Sequence, residues 1–161
     1  MRHSSQTLLT IKGKYLFIEV DIQELEGIIK IRDYYNGAAP VKIVNLLDCT
    51  LYYGQKGVTD WKIDRHIKKL PHRKSVYFIW IDPAKTRELV YKLSLNPNDS
   101  DEEKSVNIDF DKCFLVENSY GWVSFLDGKQ RILLFTKDLK LPQYLLRVIF
   151  NLTFLLFSKK K

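Results

Sequence analysis

The chain has 161 residues, 45% hydrophobic and 13% aromatic, enough apolar material for one filled core and too much for a disordered chain. Twenty-six Lys and Arg against nineteen Asp and Glu leave a net charge of +7, which favours anionic partners without choosing among lipid headgroups, acidic protein and nucleic acid. Cys49 and Cys113 stand alone, with no CxxC pair or neighbouring histidine, so neither a disulfide framework nor a zinc knuckle is expected.

Residues 1–14 are too polar for a secretory leader, and together with the two isolated thiols they suggest an intracellular protein, cytoplasmic or nuclear, or one peripheral to a membrane. Runs rich in Ile, Val, Tyr and Phe then recur between Gly, Pro, Asn and Asp, the signature of successive strands. They fall at residues 7–11, 15–21, 27–35, 41–47, 50–53, 75–81 and 88–95. Asn36-Gly37 marks a turn between the third and fourth runs, because both residues tolerate positive φ.

Residues 96–105, with Pro97 and the carboxylates of Asp99, Asp101, Glu102 and Glu103, have little to bury and read as an acidic surface loop. Residues 106–117, 121–126 and 130–136 are three further strands, the last two joined by Asp127-Gly128 as a hairpin. Pro142 suits a first helical turn, and the apolar, unbroken stretch that follows predicts a helix over 142–158. Arg147 and Asn151 interrupt that stretch, so no transmembrane span is expected, and the helix is assigned to covering a β-rich core.

Residues 27–51 carry a family resemblance. Ile29-Lys-Ile-Arg-Asp-Tyr34-Tyr35 precedes the short turn Asn36-Gly-Ala-Ala-Pro40, and Val44-Asn-Leu46-Leu-Asp48-Cys49-Thr-Leu51 follows. This resembles the third and fourth strands of a pleckstrin-homology domain. The resemblance implies an α+β fold, β-rich, with a bent antiparallel sheet or partly open barrel closed by a C-terminal helix. It also implies a non-catalytic adaptor that recognises an anionic lipid headgroup or an acidic protein. Near the positions where such domains hold a headgroup, this chain has Lys12 and Lys14 in the first hairpin and Lys30 and Arg32 one strand late.

The most basic segment is residues 62–74, where Lys62, Arg65, Lys68, Lys69, Arg73 and Lys74 could neutralise phosphates, with Trp61 and Tyr77 at hand for stacking. The same patch would serve a nucleic-acid-binding or nucleic-acid-processing protein, and the apolar helix would serve a structural subunit docking into a larger assembly. His66 and His72 have no metal-ligand spacing, and no phosphate-cradling glycine motif or nucleophile elbow occurs. Asp109 and Asp111 alternate as if on one strand face, which a polar surface explains without a metal. The expectation is thus a single domain over 1–161, not an enzyme, with no cofactor, no metal and no catalytic residue, acting through a basic surface.

Overall fold

The computed structural model describes residues 2–11, 14–23, 26–35, 37, 39–82, 84–93, 103–116 and 119–158. Among the described residues the chain forms twelve strands and one helix. The class read from the sequence, β-rich with one C-terminal helix, is the class adopted, and no barrel closes.

β1 (Arg2–Ile11), β2 (Lys14–Gln23) and β3 (Glu26–Asp33) form an antiparallel meander of their own. A five-stranded sheet follows, in the order β10 (Lys112–Val116), β11 (Tyr120–Asp127), β12 (Gln130–Thr136), β4 (Val41–Asn45) and β7 (Lys74–Phe78). A four-stranded sheet has the order β6 (Lys68–Leu70), β5 (Leu51–Gln55), β8 (Glu88–Leu93) and β9 (Lys104–Asn107). All neighbours are antiparallel except β12 and β4, which run parallel from Arg131 opposite Val41 to Phe135 opposite Asn45.

The core lies between the two larger sheets. From one come Val41, Ile43, Phe78, Trp122, Leu133 and Phe135, and from the other Leu51, Tyr53, Leu70, Leu89, Tyr91 and Val106. Edge-on ring contacts cross the gap, Tyr53 on Phe78 at 5.9 Å and Tyr91 on Phe135 at 4.9 Å, the offset geometry that aromatic quadrupoles prefer. Period-two alternation explains the choice of residues: Val41, Ile43 and Asn45 are buried while Lys42 and Val44 between them are less so. Asp127-Gly128 does form the expected hairpin, with Asp127 paired to Gln130 and Gly128 at φ 61°.

The turn expected at Asn36-Gly37 has Gly37 at φ 91°, with Asn36 outside the described residues, and the strands it separates, β3 and β4, belong to different sheets. Two sequence-based boundaries need correction. The expected strand over 106–117 is two strands in two sheets, because the Asn107 side chain accepts the Asp109 N–H at 3.0 Å and turns the chain. Much of the expected acidic loop lies outside the described residues. Within it Glu103 is exposed and Lys104 and Ser105 already belong to β9, paired with Tyr91 and Val90.

The helix α1 (Lys140–Ser158) begins two residues before Pro142 because Asp138 caps it, its carboxylate accepting the Lys140 N–H at 2.9 Å and the Leu141 N–H at 3.3 Å. It packs against β11 and β10, where Pro142 approaches Gly121 so closely that an added Cβ would lie 3.3 Å from its Cγ. Gly121 alternates with Trp122, so α1 covers the face of the five-stranded sheet turned away from the core between the sheets.

Gly54, in the middle of β5, has no room for a side chain, since a Cβ there would lie 2.8 Å from both the Cβ and Cγ2 of Thr59. Gly54→Ala should therefore lower stability by about 2 kcal/mol, the scale of overpacking a tight interior, measured as a fall in the urea midpoint with the slope unchanged. A midpoint equal to that of the parent chain would contradict the packing described.

Candidate functional site

The meander of β1, β2 and β3 has two unlike faces. Register places Leu16, Ile18, Val20 and Ile22 of β2 opposite Asp33, Ile31, Ile29 and Gly27 of β3, all on one face. The other face carries Phe17, Glu19 and Asp21 opposite Arg32, Lys30 and Ile28. On the first face Ile29 is 65% exposed and Ile31 63%, with Ile22 exposed at the same end. Leu16, Ile18 and Val20 are only partly covered. Six aliphatic side chains in contiguous register thus meet solvent, where a folded chain usually buries such a stripe. On the opposite face, Phe17 is buried with its ring edge-on to Tyr35 at 5.7 Å, and Asp21 is also buried.

Alternation of apolar residues along β2 and β3 is legible in the sequence, yet period two says only that one face is apolar. Whether that face meets a second sheet or solvent depends on contacts distant in the chain.

The ten cations singled out from the sequence do not gather in one place. Lys12 lies outside the described residues, and Lys14 is the first residue of β2. Lys30 and Arg32 are exposed on the mixed face of the meander, with Glu19 directly across from Lys30. Lys62 and Arg65 occupy an exposed turn that Asp60 organises, accepting the Lys62 N–H at 2.9 Å and exchanging backbone hydrogen bonds with Arg65. Lys68 and Lys69 fall on opposite faces of β6, the first 5.5 Å over the Phe78 ring and the second 5.5 Å over Tyr52. Burial lowers the pKa of Lys68, since desolvation disfavours its charge. Arg73, at φ 54°, and Lys74 are exposed where the chain turns into β7.

The aromatic partners expected for stacking are already engaged. Trp61 donates its indole N–H to Glu103 and lies under the Lys92 ammonium at 5.2 Å. Tyr77 stacks on Tyr34 with centroids 4.3 Å apart, and Tyr34 donates to the Gln130 side chain at 2.6 Å. Asp111 pairs with Arg131, which also donates to the Asp109 carbonyl at 3.2 Å, so the two aspartates brace a turn. Among the described residues no group of three or more His, Cys, Asp or Glu could hold a metal ion. Nor is any described helix long and apolar enough to cross a membrane.

Arg73 and His72 also act on Asp48, beyond the end of β4. Lys137 donates to the Asp48 carboxylate at 2.8 Å, and this bond and charge, with smaller contributions from Arg73 and His72, hold its pKa below the ordinary carboxylate value. The same contact raises the Lys137 pKa. The pair is therefore complete at neutral pH. On the acid side its contribution is lost as pH falls through the depressed Asp48 value, and on the alkaline side as pH rises through the raised Lys137 value. Lys137→Ala should return the Asp48 carboxyl toward its ordinary pKa in an NMR titration, and an unmoved titration would rule the pairing out.

No family profile matches the chain. Relatives do share its sequence. It is 32% identical over 147 residues to the human intermembrane lipid transfer protein VPS13C, a match that spans 87% of this chain and 4% of the relative. The Mus musculus VPS13C is 33% identical over the same length with the same coverage, and the Mus musculus intermembrane lipid transfer protein VPS13A is 27% identical over 124 residues, 76% of this chain and 4% of the relative. The chain thus spans about 4% of the length of the curated relatives it matches.

Proposed function

We propose that this chain is a non-catalytic lipid-handling module that receives acyl chains on the apolar face of the meander. One observation carries the reading: a row of aliphatic side chains from Leu16, Ile18, Val20, Ile22, Ile29 and Ile31 is left open to solvent on a regular sheet. Such a face is costly in water and favourable against hydrocarbon, at about 25 cal/mol for each Å² of apolar surface removed from solvent. The lipid-transfer names of the relatives support the choice of lipid over another apolar partner. They lend nothing to the nucleic-acid alternative.

The exposed cations Lys62, Arg65, Lys69, Arg73 and Lys74, with Lys30 and Arg32 on the other face of the meander, would then meet anionic headgroups. Each juxtamembrane charge is worth about 1 kcal/mol near an acidic bilayer and less as salt screens it.

A loading experiment tests the reading. The purified chain, mixed with a short-chain fluorescent phosphatidylcholine and run on a native gel, should carry the fluorophore with it, because acyl contact needs no headgroup charge. A chain that remains dark, while a lipid-binding control fluoresces, would overturn the proposal.

A further inference from the structure

At one end of the sandwich the two sheets part around a cavity of about 480 Å³. Its walls come from distant parts of the chain: Leu47 and Cys49 after β4, Tyr91 and Leu93 of β8, Lys104 of β9, Tyr120 of β11 and Lys137 beyond β12. At its floor the buried Tyr91 and Tyr120 hydroxyls lie 3.2 Å apart, and Lys104 Nζ donates to the Tyr120 oxygen at 3.0 Å. The Trp122 indole N–H faces the Tyr91 oxygen from the core side.

The protons of this chain of groups do not balance. Trp122 brings one, each phenol brings one and the Lys104 ammonium brings three, whereas among the described residues the oxygens that accept them are those of the two phenols. The contact between the phenols uses one hydroxyl proton, whichever way it points. Among the described residues the other hydroxyl proton has no oxygen or nitrogen acceptor, and the remaining ammonium protons meet only the Tyr120 ring, whose centroid is 5.2 Å from Nζ. Burial and the neighbouring Tyr120 hydroxyl hold the Tyr91 phenol protonated well above its ordinary value, so deprotonation does not relieve the excess.

Charge reinforces it. The carboxylate nearest in sequence to Lys104, Glu103, is occupied by the Trp61 indole, and no described ion pair includes Lys104. Lys137 adds a second ammonium at the rim, where the Asp48 carboxylate balances its charge and takes one of its three protons. Lys92 also borders the cavity, but its ammonium lies over Trp61.

We infer that this cavity is a phosphate-binding site, in which Lys104 and the Tyr91–Tyr120 hydroxyl pair donate to phosphate oxygens and Lys137 closes the rim. A tetrahedral anion offers acceptors in several directions at once, as diverging ammonium and hydroxyl donors require, and the volume falls within the range of small-ligand pockets. Leu47 and Leu93 leave an apolar wall for whatever the phosphate is attached to. The site goes beyond the lipid-handling reading and does not rest on it, since it shares no residue with the meander.

The test follows amide resonances during addition of inorganic phosphate, and then of phosphatidylcholine vesicles with and without phosphatidic acid. Saturable shifts at Lys104, Tyr120 and Lys137 with inorganic phosphate are expected. Lys104→Met should weaken that binding about tenfold to a hundredfold, the scale of one charge-assisted hydrogen bond. Tyr120→Phe keeps the ring in the core and should weaken it too, so the test survives if the lysine variant fails to fold. Competition between inorganic phosphate and phosphatidic acid vesicles would identify a lipid headgroup as the source, and phosphate binding without vesicle binding would identify a free phosphate compound. A chain carrying Ile29→Lys and Ile31→Lys should bind phosphate like the parent, which separates this site from the acyl-contacting face. No shift at the cavity with either probe, or parental affinity in both the Lys104 and Tyr120 variants, would overturn the inference.

Discussion

Asn45→Ala should destabilise the fold by about 3 kcal/mol, among the largest effects of any polar substitution in this chain. Asn45 is the last residue of β4 and is fully buried. Its amide donates to the carbonyls of Cys49 at 2.9 Å, Leu70 at 3.0 Å and Pro71 at 3.2 Å, while its oxygen accepts the Leu47 N–H at 3.0 Å. One side chain thereby joins the turn into β5 to the turn between β6 and β7, connecting the two sheets across the core. Alanine would take the partner from the buried Leu47 N–H and Leu70 carbonyl, each costing about 1 kcal/mol or more, and would remove a donor from the part-buried Cys49 and Pro71 carbonyls as well. Asn45→Asp should be no milder, because it aims a carboxylate at three carbonyl oxygens. Denaturant unfolding of the two variants measures the effect, and a loss below about 1 kcal/mol in both would show that the turns stand without this link.

The pair Ile29→Lys and Ile31→Lys should abolish acyl-chain loading while changing stability by less than about 0.5 kcal/mol, the range expected of exposed positions. Both side chains are largely exposed, so little packing is lost. What is lost is an apolar surface, now broken by two ammonium groups that hydrocarbon cannot solvate. Ile28→Lys is the matching control. It alters the same residue type in the same strand, also exposed, but on the opposite face, next to Lys30 and Arg32. It should leave loading intact. Equal loss in all the variants would point to a general disturbance of β3 and not to a lipid-contacting face.

Much of the architecture was legible in the residues, and the limits of that legibility are physical. Strand cores such as Gln130–Thr136 announced themselves through branched and aromatic residues, and the Asp127-Gly128 turn through its need for positive φ. Asn107, Asp109 and Asp111 imitated strand alternation although they form a turn, because a polar residue every second position has the same pattern in either case. The parallel match of β12 to β4 joins residues 90 apart in the chain, and the division into three sheets rests likewise on pairings between strands distant in sequence, which no local pattern encodes. The resemblance to a pleckstrin-homology domain agreed with the broad class, β-rich with a helix at the end, while the two strands that carry it, β3 and β4, lie in different sheets.

The candidate site was less legible still. The sequence drew attention to charge at residues 62–74, where the structure finds Lys68 over the Phe78 ring and Trp61 tied to Glu103. The aliphatic face of the meander looked like any core-facing pattern, and Lys104 looked like the end of an acidic loop until it was seen beside Tyr120. Asn45 read as an ordinary polar residue near a turn, and only the folded chain shows that it holds two turns together.

Site-specific photo-crosslinking would locate the acyl chains that we propose lie along one face of the meander. With benzoylphenylalanine in place of Ile31, illumination in the presence of phosphatidylcholine carrying a radiolabelled acyl chain should transfer the label to the protein. The same group in place of Ile28 should transfer little. Equal labelling from both positions, or none from position 31, would mean that acyl chains do not lie on this face.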